Sequence, residues 1–68
     1  MSKTLEELGY EKREEDIHVI FENDTGDKIV FVTMTKCFYI IDCYGEYQVA
    51  TMEELKAIYK YCEDNKWI

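Results

Sequence analysis

Apolar positions fall into three short runs followed by one longer periodic segment. Ile17-His18-Val19-Ile20-Phe21-Glu22 is β-branched and aromatic, as strands are. Asn23-Asp24-Thr25-Gly26-Asp27 follows, a cluster of residues that tolerate positive φ, and it predicts a turn. Lys28 to Met34 is the second predicted strand. Thr35-Lys36 interrupts it, and Cys37 to Cys43 is the third. Short connections between successive strands predict an antiparallel meander. From Thr51 the period changes. Thr51-Met52-Glu53-Glu54 is a capping box, with Thr51 as N-cap, Glu54 at N3, and Ala50 and Leu55 placed to staple across it. Met52, Leu55, Ile58, Tyr59 and Cys62 recur at i, i+3, i+4 spacing, predicting a helix from 52 to about 64 with that stripe inward. Trp67 is expected to fold back on the sheet. A second capping box, Thr4-Leu5-Glu6-Glu7, predicts one helical turn over 5–8 that Gly9 ends. The run Glu11-Lys12-Arg13-Glu14-Glu15-Asp16 reads as an exposed connection.

These elements predict an α+β fold: a three-stranded antiparallel meander with a C-terminal helix on one face and a short N-terminal helical turn. The second and third strands are apolar on both faces. Ile29 and Phe31 oppose Val30, Val32 and Met34, and Tyr39 and Ile41 oppose Phe38 and Ile40. One helix covers one face, and an antiparallel sheet with a wet face should alternate. The N-terminal turn, with Leu5, Leu8 and Tyr10, is expected to cover part of the second face. A second copy of the chain is expected to cover the rest, by sheet face or by strand edge, giving a homodimer.

At 68 residues the chain is one domain, too short for a dinucleotide-binding fold or a barrel. The formal charge of −7 is uneven: residues 1–27 hold nine acids against three bases, and residues 28–68 six against five. Phosphate repels such a chain, so neither direct nucleic-acid binding nor an anionic membrane surface is expected. No apolar run approaches the ~20 residues of a membrane span. The start of the chain carries acids where a signal peptide is apolar, so the expected compartment is the cytoplasm.

The chemistry open to these residues is narrow. Cys37, Cys43, Cys62 and His18 form a Cys3His set by type, but six residues of strand hold Cys37 and Cys43 roughly 20 Å apart, too far for one zinc or a disulfide. They read as small buried hydrophobes, and no metal or cofactor is expected. His18 has no nucleophile beside it, and no phosphate loop, nucleophile elbow or His-Glu-x-x-His pattern occurs, so no catalytic residue is assigned. The tyrosines carry more. Tyr39, Tyr44, Tyr47, Tyr59 and Tyr61 suit either an interface or the rim of a small core. Glu14, Glu15 and Asp16, with Glu22, Asp24 and Asp27, form either a solvated face or a set of carboxylates that imitates DNA phosphates.

The segment Leu5-Glu6-Glu7-Leu8-Gly9-Tyr10-Glu11-Lys12, the strands after it, Thr51-Met52-Glu53-Glu54-Leu55-Lys56-Ala57-Ile58 and the closing Lys66-Trp67-Ile68 together resemble small proteins of phages and prophages of low-GC Gram-positive bacteria. The shared motifs are structural and bring no catalytic residue. The resemblance implies inhibitors of host defence, anti-CRISPR proteins among them. The expected function is a non-enzymatic, acidic protein-binding module that occupies the basic groove of a host nucleic-acid-handling enzyme. Its binding set is Glu14, Glu15, Asp16, Glu22, Asp24, Asp27, Tyr39, Tyr44 and Tyr47. The alternatives are a self-associating structural or accessory phage protein, and a binder of a small ligand such as a signalling nucleotide. The latter depends on Arg13, His18, Lys28 and Lys36 as donors.

Overall fold

The sheet has four strands, not three. In the computed structural model, which describes residues 3–68, they are β1 (Glu11–Glu14), β2 (His18–Glu22), β3 (Lys28–Val32) and β4 (Cys37–Ile41), paired antiparallel in chain order. Helix α1 spans Met52–Asp64. The added strand is the charged run expected to be a connection. Its propensity for strand is poor, because Glu and Lys are depleted in sheets. Pairing with the apolar β2 supplies what propensity lacks: Lys12 lies opposite Phe21 and Arg13 opposite Ile20. A turn at Asp16-Ile17 closes the hairpin, with Glu15 N–H donating to His18 O at 2.8 Å and His18 N–H to Glu15 O at 3.3 Å. Ion pairs Lys12–Glu14 (3.2 Å), Arg13–Glu15 (3.3 Å) and Arg13–Glu22 (3.8 Å) tie the strand down. A charged edge also blocks pairing with another chain's strand.

Alternation assigns the faces. Lys12 and Glu14, Val19 and Phe21, Ile29 and Phe31, and Phe38 and Ile40 line up in register on the helix side. There Val19, Phe21, Ile29 and Phe31 meet Ala57, Ile58 and Cys62 of α1 and Leu5 and Tyr10 of the N-terminal turn, in one buried cluster. The turn therefore packs in the same layer as the helix, and does not cover the second face as expected. That outer face needs less cover than its composition suggests. Val30 is only 3% exposed, flanked in register by Ile20 and Tyr39. Arg13 flanks Ile20 in turn.

The N-terminal turn closes as its capping box predicts. Thr4 N–H donates to Glu7 Oε1 (2.9 Å), Glu7 N–H to Thr4 Oγ1 (3.2 Å), and Leu8 N–H to Thr4 O (3.1 Å). These bonds hold the Glu7 carboxyl below its usual range.

Helix α1 starts at the Thr51 capping box. Glu54 N–H donates to Thr51 Oγ1 (3.1 Å) and Thr51 N–H to Glu54 Oε1 (2.8 Å). Thr51→Ala is expected to lower stability by about 1 kcal/mol in urea denaturation, the usual loss for an N-cap. An unchanged midpoint would mean the helix starts elsewhere. The inward stripe differs from the one expected. Ala57, Ile58 and Cys62 are buried, while Met52, Leu55 and Tyr59 stay exposed. The cause is Tyr61, whose ring packs 5.5 Å from Phe21 and 4.2 Å from Phe31 and turns the small Ala57 toward the core. Ala50 and Leu55, placed to staple the start of the helix, are exposed too. The helix ends in a Schellman turn: Trp67 N–H donates to Cys62 O and Lys66 N–H to Glu63 O, with Lys66 at φ 60°. That reversal carries Trp67 back to Phe31, ring to ring at 5.7 Å.

Candidate protein-binding surface

The hairpin turns sort the acids into two groups. Glu22, Asp24 and Asp27 lie at the end of the sheet where β2 turns into β3 and where β1 begins. Glu14, Glu15 and Asp16 lie at the other end, roughly 15 Å away along a strand of five residues. They do not form one surface. Glu14 and Glu15 are moreover held by Lys12 and Arg13.

The first end is the richer one. Asn23 Oδ1 accepts from the N–H groups of Thr25 (3.1 Å) and Asp27 (2.9 Å), which fixes the β2–β3 turn. Asp42 Oδ1 does the same for Tyr44 N–H (2.9 Å) and Glu46 N–H (3.0 Å) after β4. The two turns touch, because Gly26 lies directly against Cys43. Tyr44 is 88% and Tyr47 83% exposed. Tyr47 bridges to Ile41, and its ring stands edge-on to Tyr39 at 6.4 Å. The structure thus gathers Glu22, Asp24, Asp27, Tyr39, Tyr44 and Tyr47 of the expected set, and separates Glu14, Glu15 and Asp16 from them.

Glu11 belongs to this end and was missed, because its place follows only from the β1–β2 pairing. It lies directly opposite Glu22. Like charges opposite each other across an antiparallel pair are destabilising; Lys28, directly opposite Glu22 on β3, and Arg13, at 3.8 Å, offset the charge of Glu22. An open depression of about 360 Å³ lies here, lined by Glu11, Lys12, Arg13, Glu22, Asn23 and Asp24. It has the size to seat a cationic side chain. Among the described residues Asp24 takes part in no ion pair.

Behind this end, Tyr10 O–H donates to Glu54 Oε2 and so ties the N-terminal turn to the start of α1. Burial first, then that bond, pushes the Tyr10 phenol well above its ordinary value. Burial alone would raise the Glu54 carboxyl, but the bonds from Thr51 and Tyr10 outweigh it and hold it below the usual range.

Other chemistry is sparse. Only Cys62 is a buried cysteine; its thiol is pushed up by burial. Cys37 and Cys43 are exposed, against the expectation of buried hydrophobes, Cys37 at the start of the edge strand β4 and Cys43 in the turn beyond its end. Among the described residues no three metal-ligating side chains converge. A cavity of about 200 Å³ between the N-terminal turn, β1 and α1 is smaller than most ligand pockets. Its cations, Lys12 and Lys60, are paired with Glu14 and Asp64. Of the donors expected for an anionic ligand, none lines this cavity. Among the described residues no helix is long and apolar enough to cross a membrane. No family model matches the chain, and neither the curated proteins nor the solved structures contain a match.

Proposed function

We propose that this chain is a non-enzymatic protein-binding module that docks the acidic end of its sheet on a basic surface of a partner protein. Glu11, Glu22 and Asp24 meet the partner's Arg and Lys side chains, and Tyr44 and Tyr47 offer ring faces to guanidinium groups. The observation that carries this reading is the Glu11–Glu22 pair. It stands beside an open depression, and among the described residues Glu11 takes part in no ion pair. A partner that fits is the nucleic-acid groove of a host defence enzyme in the bacterial cytoplasm. The carboxylates would take the place of phosphates there, making the chain a phage-encoded inhibitor of anti-CRISPR type.

The double variant Glu11→Lys, Asp24→Lys tests it, with Glu22 left in place because it pairs with Arg13 and lies opposite Lys28. Asp27 is left alone, because it accepts from Thr25 Oγ1 (3.0 Å) within the turn. Wild type is expected to bind a fluorescent deca-arginine peptide with an affinity that falls as salt rises. The variant is expected to lose at least about tenfold in affinity with its melting temperature unchanged, the loss expected from reversing two contact charges. Full binding by the variant would reduce these acids to a solubility role. Displacement of captured lysate proteins by duplex DNA would support phosphate mimicry in particular.

A further inference from the structure

The two edges of the sheet are opposites. β1 carries a charge at every position, whereas β4, Cys-Phe-Tyr-Ile-Ile, carries none. Natural edge strands are normally blunted by charge, by Pro or by a covering segment. Here the cover is partial. Gln48 N–H donates to Ile40 O (3.0 Å) and Asp42 N–H to Glu46 O (2.8 Å), so the segment after β4 pairs with its C-terminal half. Ile40 O therefore points away from β3, and Phe38, two residues along, presents its backbone to the same side. Among the described residues nothing pairs there.

Helix α1 continues this bare side. Its Ala57, Lys60, Tyr61 and Asp64 flank faces β1 and the N-terminal turn across the small cavity. The flank bearing Leu55 and Tyr59 is thereby turned toward β4. Leu55 is 44%, Tyr59 58%, Met52 69% and Val49 90% exposed, and Phe38, whose ring packs on Phe31 on the helix side of the sheet, is 41% exposed. Lys56 and Glu63, both exposed, border this group at helical spacing from Met52 and Tyr59.

We infer that the β4 side, formed by Phe38, Val49, Met52, Leu55 and Tyr59, is the contact surface of a two-fold homodimer. The occupant is a second copy on three grounds. At roughly 200 Å² per large side chain, the exposed fractions amount to about 600 Å² per copy. Two copies then remove about 1,200 Å², the lower bound for a stable interface. Homodimer interfaces are the more apolar kind, and the five side chains named here are all hydrophobic. The two-fold arrangement also separates the acids. β1 lies three strand spacings, about 14 Å, from β4 in each copy, so the two charged edges stand well beyond a Debye length of about 8 Å. This surface is distinct from the acidic end and does not depend on the function proposed for it.

Sedimentation velocity at micromolar concentration and physiological salt is expected to give twice the 8.2 kDa chain mass. Leu55→Glu and Tyr59→Glu are each expected to give the single-chain mass with wild-type circular dichroism, since both side chains are exposed. Glu14→Gln, on the opposite edge, is expected to remain a dimer. In wild type the Met52 methyl and Tyr59 ring resonances should shift on dilution while that of His18 stays put, a readout that does not require the variants to fold. A wild type at the single-chain mass, a dimer that persists in both variants, or dilution shifts confined to the acidic end would overturn the inference.

Discussion

Phe31→Ala is expected to leave most of the protein unfolded in water at room temperature. Phe31 is fully buried at the centre of β3. Its ring meets Phe21 at 5.7 Å, Tyr61 at 4.2 Å, Trp67 at 5.7 Å and Phe38 at 6.0 Å, so it joins three strands to both the helix and the returning C-terminus. Truncating such a ring costs about 3–5 kcal/mol, the lost transfer energy plus the cavity left behind. A chain this short rarely has more than about 3–5 kcal/mol of stability in total. The two quantities cancel. Trp67, the single tryptophan, packs directly on Phe31, so its fluorescence should move to the solvent-exposed wavelength together with the loss of far-ultraviolet dichroism. A cooperative urea transition within about 1 kcal/mol of wild type would mean that Phe21 and Tyr61 close the space unaided.

Gly26→Ala is expected to be the second most damaging single change, at about 2–5 kcal/mol. Gly26 sits at φ 88°, and a Cβ there would lie 2.8 Å from the Cys43 Cβ. The backbone conformation costs an alanine about 1–2 kcal/mol. Pushing the post-β4 turn aside adds about 1–3 kcal/mol, as overpacking does. For a domain of this size each kcal/mol moves the melting temperature by roughly 4–8 °C, so a fall of at least about 8 °C should be seen. Adding Cys43→Gly removes the clash and not the backbone strain, and should recover part of the loss. An unchanged melting temperature in Gly26→Ala would show that the two turns do not touch.

Both predictions rest on contacts between residues far apart in the chain. That is also where the sequence and the structure part. The Thr51 capping box, the three apolar strands and the return of Trp67 were legible because each depends on neighbours within a few positions. The charged run Glu11 to Glu14 was not legible as a strand, because its pairing energy comes from β2 and its residues have no strand preference of their own. The acidic set was legible as a composition and not as a place. Charge counts carry no information on which end of a hairpin a side chain occupies. Glu11 therefore passed unnoticed, and Glu14, Glu15 and Asp16 were grouped with residues about one strand length away.

The surplus of apolar surface shows the same division. From the sequence alone it follows that strands and helix together hold more apolar side chains than one helix on one sheet face can cover, since that depends only on counting residues and periods. Where the surplus emerges depends on the rotation of the helix about its axis and on the order of the strands. Tyr61 wedged between Phe21 and Phe31 sets the first, leaving Leu55 and Tyr59 outside. The pairing of β1 with β2 sets the second. It gives one edge of the sheet to the charged strand and the other to the uncharged β4. Both are packing outcomes reached by residues that local periodicity treats as independent, so only the tertiary structure decided them.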